Sequence, residues 1–62
     1  MLTFAEAILK ELRSLQSDTE QMILGGVADM ERYRFLMGRL EGLKLAVDSV
    51  KELVKKFNPD DD

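Results

Sequence analysis

The side chains able to do chemistry in this 62-residue chain are few in kind. There are 12 carboxylates and 9 lysines and arginines, with no His, no Cys and no Trp. Without imidazole or thiol there is no nucleophile–base pair, no disulfide framework and no zinc box. The carboxylates are spread along the chain with no Glu-x-x-His pairing, so no metal-binding constellation forms from spacing alone. Gly25-Gly26 does not follow a strand and is no phosphate loop. The expectation is therefore a protein with no catalytic residues, no metal and no cofactor, not an enzyme and without a small-molecule substrate.

Three of the four arginines, Arg32, Arg34 and Arg39, fall within eight residues of one another. Together they offer a candidate basic patch for RNA. The net charge of −3 and a pI near 4.8 argue against nucleic acid as the main partner, because phosphate binding normally draws on a net basic surface. Arg32 and Arg39 lie seven residues apart and can instead edge a protein interface, laying their stems on apolar surface.

The elements that must carry these residues are helices. Thr3-Phe4-Ala5-Glu6 has the form of a capping box, with the Thr3 hydroxyl accepting from the Glu6 amide and the Glu6 carboxylate reaching back. From there Ala5, Ile8, Leu12, Leu15, Thr19 and Met22 recur at heptad spacing, broken in character only by Thr19. Gly25-Gly26 interrupts the pattern, since glycine costs about 1 kcal/mol relative to alanine inside a helix. Asp29 then offers a cap for a second helix. Tyr33, Leu36, Leu40, Leu43, Val47, Val50, Val54 and Phe57 continue at alternating three- and four-residue steps, up to the stop at Asn58-Pro59. The predicted organisation is a single domain: helix 4–24, turn 25–29, helix 30–57 and an acidic tail 58–62. A turn this short folds the two helices into an antiparallel, coiled-coil-like hairpin of the all-α class.

Two helices alone do not enclose a core. The hairpin is expected to complete itself by oligomerising or by docking on a larger protein. Within the hairpin the seam is assigned to Ile8, Leu12, Leu15 and Met22 against Leu36, Leu40, Leu43 and Val47. The second helix is the longer by about seven residues, which predicts roughly two uncovered turns near Val50, Leu53, Val54 and Phe57. Gly38, Gly42 and Ala46 follow at four-residue steps, a spacing that lets another backbone approach closely. Arg32, Phe35, Gly38, Arg39, Gly42, Ala46, Val50, Leu53, Val54 and Phe57 are accordingly the candidate partner or oligomer interface. No apolar run approaches the ~18 residues of a membrane span, and the first residues lack the basic start of a signal peptide. A protein neither secreted nor in a membrane is expected.

The segment Glu31–Leu43, and within it Tyr33, Arg34, Gly38, Arg39, Gly42 and Leu43, resembles small helical proteins of tailed bacteriophages that are encoded beside head and portal genes. The resemblance covers about a fifth of the chain closely. It implies a role in the virion or in head assembly, in the particle or the host cytoplasm, with a phage head component or further copies of the chain as partner. In size, layout and acidic tail the chain is also similar to plasmid copy-number hairpins, which would imply a dimeric four-helix bundle that regulates by binding RNA. A third possibility is a small inhibitor that lays its apolar face in a groove of a host protein.

Overall fold

The computed structural model describes residues 2–57. The expected stop at Asn58-Pro59 and the acidic tail lie outside the described residues. Two helices, α1 (Phe4–Leu24) and α2 (Met30–Phe57), make up the fold and pack against each other, with no strand among the described residues.

Local chemistry sets each helix end. Thr3 caps α1 in extended conformation, its Oγ1 accepting from the Glu6 amide at 3.1 Å, while the Thr3 amide donates to Glu6 Oε1 at 2.9 Å. Two of the four amides that a helix start leaves without partners are thus satisfied. Hydrogen bonding to the carboxylate itself, from the Thr3 backbone first and its side chain second, holds the Glu6 carboxyl below its ordinary range. At the other end the Gly25 amide donates to the Gln21 carbonyl and the Gly26 amide to the Ile23 carbonyl. Gly26 then turns the chain with φ of 98°, a left-handed conformation that costs glycine little and other residues more. Asp29 opens α2: its Oδ1 accepts from the Glu31 amide at 3.1 Å and its carbonyl from the Tyr33 amide at 2.9 Å.

The helices run antiparallel. Thr19 of α1 meets Arg39 of α2, and both stand ten residues from Asp29. In an antiparallel pair each step along one helix matches a step back along the other. This bond therefore sets Met22 level with Leu36, Leu15 with Leu43, and Ile8 with Val50. A groove lined jointly by Met22 and Leu36 near the turn follows the same register.

The fully buried interior is small. Leu36, Leu40 and Val47 are its apolar members, and Thr19 is completely inaccessible. Ile8, Leu12, Leu15 and Leu43 are half-buried. Met22, assigned to the seam, sits at its edge with 47% of its surface exposed. The expected two-turn overhang is shortened by the register. Phe4 comes level with Val54, so only residues 55–57 extend past the start of α1. The rest of the extra length in α2 lies beside the turn. Val50 and Val54 are consequently half-buried rather than free, while Leu53 and Phe57 remain exposed.

Candidate interaction surfaces

At the centre of the hairpin is a polar contact. Thr19 interrupts the apolar seam of α1, and its hydroxyl donates to the Leu15 carbonyl one turn back, at 2.8 Å. A threonine inside a helix can satisfy its hydroxyl in this way and so be buried at little cost. The same Oγ1 accepts from Arg39 Nε at 3.1 Å. Arg39 was expected at a partner surface. It is exposed overall, yet its Nε is anchored within the hairpin. Sequence spacing did not reveal this clasp, because neither residue counts as apolar. The available signal was their equal distance from the turn.

Around this centre the hairpin has two unlike sides. One is an open groove lined by Arg13, Gln16 and Glu20 from α1 and by Lys44, Asp48 and Lys51 from α2, over Val47. Both signs of charge alternate there, which suits water. Rotating from that groove past the helix–helix contact at 100° per residue brings up a different set. Ile8, Leu15 and Met22 repeat every seven residues on α1, and Leu36, Leu43, Val50 and Phe57 every seven on α2. The second side is thus apolar along its length. Its outer edges carry Phe4, Glu11 and Asp18 on α1, and Arg32, Arg39, Ala46 and Leu53 on α2, again at seven-residue steps.

The back of α2, turned away from α1, forms a third surface. Phe35, Gly38, Gly42 and Leu45 are exposed there, with Phe35 at 60% and Leu45 at 68%. A Cβ built on Gly38 or Gly42 meets nothing within 4 Å. Neither glycine is therefore required by packing inside the hairpin. Leu45, which spacing did not single out, belongs to this surface. Leu45, Ser49 and Leu53 also line an open groove there. Of the candidate interface residues, Phe35, Gly38 and Gly42 share the back, and Leu53 stands on the edge between it and the apolar side. Arg32, Arg39, Ala46, Val50 and Phe57 turn toward the apolar side, and Val54 points nearer to α1.

The arginines do not gather into one patch. Arg34 projects about 160° away from Arg32 around the helix, and Arg39 is tied to Thr19. Among the described residues no group of three or more metal-ligating side chains comes together, and no helix is long and apolar enough to cross a membrane. No family model matches the chain, and neither the curated proteins nor the solved structures contain a significant match to it.

Proposed function

We propose that the protein is a non-catalytic interaction module, a structural or adaptor component that works through helix–helix contacts. The observation that carries this reading is the back of α2. Two glycines stand in the middle of a 28-residue helix, each at a cost of about 1 kcal/mol relative to alanine. Nothing in the hairpin occupies the space above them, and large apolar side chains flank them in the open. A small-residue notch between exposed apolar groups is the shape into which a helix or ridge of another protein fits closely. The resemblance of Tyr33–Leu43 to phage proteins, which spans this notch, narrows the reading to a small virion or head-assembly protein. The RNA-regulator alternative loses its geometric support once Arg34 and Arg32 face opposite ways.

The test is position-specific photo-crosslinking in cells that produce the particles. A crosslinker at Leu45, exposed beside the notch, should capture a head component, while the same group at Lys10, on the polar back of α1, should capture none. Capture at neither position, or of RNA alone, would overturn the adaptor reading.

A further inference from the structure

The apolar side of the hairpin lies between the charged groove and the back of α2, and the notch does not use it. We infer that a second copy of the chain closes it, giving a four-helix bundle about a twofold axis parallel to the helices. In this arrangement α1 of each protomer lies over α2 of its partner. The inference rests on reading the chain as an interaction module but not on which assembly the module joins.

Size, pattern and charge identify the occupant. A layer two helices wide and 21 residues long presents roughly 30 by 20 Å, on the order of 600 Å² in flat projection. Studded with side chains, a face of that size supplies the ~800 Å² of accessible surface that each partner buries in a standard dimer. The layer needs a second layer with apolar rows at the same seven-residue pitch on two antiparallel helices, and this chain carries such rows.

The edges make the face complementary to itself. A twofold axis parallel to the helices leaves heights unchanged, so residues that are level within one hairpin are level across the interface too. Asp18, on the acidic edge of α1, then stands within about one residue's rise of the partner's Arg39. Phe4, 82% exposed, stands at the height of the partner's Leu53, 52% exposed. Each contact occurs twice by symmetry. Arg39 keeps this role open, because only its Nε is engaged with Thr19. The other arm of its planar fork is free to meet a carboxylate. The alternative twofold, perpendicular to the helices, sets α1 on α1 and leaves acidic edge over acidic edge.

The arrangement predicts an outcome that few others share. Asp18→Arg alone and Arg39→Asp alone each create two like-charge contacts in the homodimer, and each should raise its dissociation constant at least about tenfold. Mixed one to one, the two variants pair every arginine with an aspartate and should return to dimers, measured by analytical ultracentrifugation at matched concentration. The doubly exchanged chain D18R/R39D should dimerise on its own. Independently of charge, chains carrying Phe4→Cys and Leu53→Cys should crosslink to each other on mild oxidation and to themselves more slowly. Two results overturn the inference: a wild-type chain monomeric up to hundreds of micromolar, or variants that stay helical yet gain nothing on mixing while the cysteine pair shows no preference. Neither touches the adaptor reading, which stands or falls on the crosslinks from position 45.

Discussion

The outer surfaces of α1 and α2 differ although the two helices pack on one another through similar seams. The back of α1 carries Lys10, Ser14, Ser17 and Gln21, all exposed and all polar. The back of α2 carries Phe35, Gly38, Gly42 and Leu45, equally exposed, apolar or small, set among charged Arg34, Glu41 and Glu52. An amphipathic helix that meets the rest of its protein on one face needs only one apolar stripe. By that measure α1 keeps its apolar surface to the seam and the side that adjoins it. α2 has apolar surface on two faces and is satisfied on one. Its seam builds the hairpin and its back remains available to something else.

The largest effect that tests this contrast comes from truncating one leucine on each face of α2. Leu36 is 2% exposed and Leu45 is 68% exposed. Leu36→Ala should cost about 2–5 kcal/mol, the usual loss for a buried leucine. Leu45→Ala should stay within about 0.5 kcal/mol, as surface substitutions do. Urea unfolding followed by circular dichroism at one fixed protein concentration measures both. Equal losses would mean that Leu45 already has a structural partner and that the two faces are not distinct.

The glycines sharpen the same point in the opposite direction. Because the space at Gly38 and Gly42 is open, Gly38→Ala and Gly42→Ala should each raise the stability of the purified protein by about 1 kcal/mol. Gly42→Leu, by contrast, should keep the helical spectrum and abolish capture of the partner. A stabilised protein that binds less well is the signature of a residue kept for contact rather than for folding. Loss of stability in Gly42→Ala would place the glycine inside the fold.

What could be read in the sequence was local, and what escaped it was long-range. Thr3 and Glu6 form their box, Gly26 makes the turn and Asp29 caps α2, because each depends on neighbours three or four residues away. The heptad spacing likewise located Leu36, Leu40 and Val47, the three apolar residues that are buried. Register is another matter, because it is a relation between the helices. Counting lengths placed all of the overhang at the C-terminal end of α2. The clasp between Thr19 and Arg39 instead divides it between the two ends, which half-buries Val50 and Val54. Thr19 read as the flaw in the α1 seam because spacing weighs only apolarity. A hydroxyl that bonds its own helix one turn back is satisfied there and can be buried. In the absence of other polar pairing at the centre, it marks the level at which the helices must meet.

The clasp therefore offers the next test. Thr19→Val keeps the shape and removes the hydroxyl. Net loss of a hydrogen bond costs about 1 kcal/mol. The Leu15 carbonyl keeps its backbone environment, and the exposed Arg39 can turn to water, so about 1 kcal/mol is also the upper limit expected. Thr19→Leu should cost more, about 1–3 kcal/mol, since the site is completely filled. If Thr19→Val were markedly destabilising, beyond 2 kcal/mol, the polar contact would be holding the helices together and not merely in register.

The smallest effect lies at the start of α1, on a helix whose outer surface water already satisfies. Glu6 titrates below its ordinary range because its ionised form accepts from the Thr3 amide. A carboxyl depressed in the folded state adds stability that is present above its unfolded value, 4.5. That contribution is lost as pH falls through the folded value. Helicity of the wild-type protein should therefore decline between pH 5 and the folded value more than that of Glu6→Gln. The glutamine keeps an acceptor at this position but has no proton to take up. Thr3→Ala should remove about 1 kcal/mol at neutral pH and, with the amide no longer fixed, should move the Glu6 titration back toward 4.5. The effect is small because the group is in open solvent.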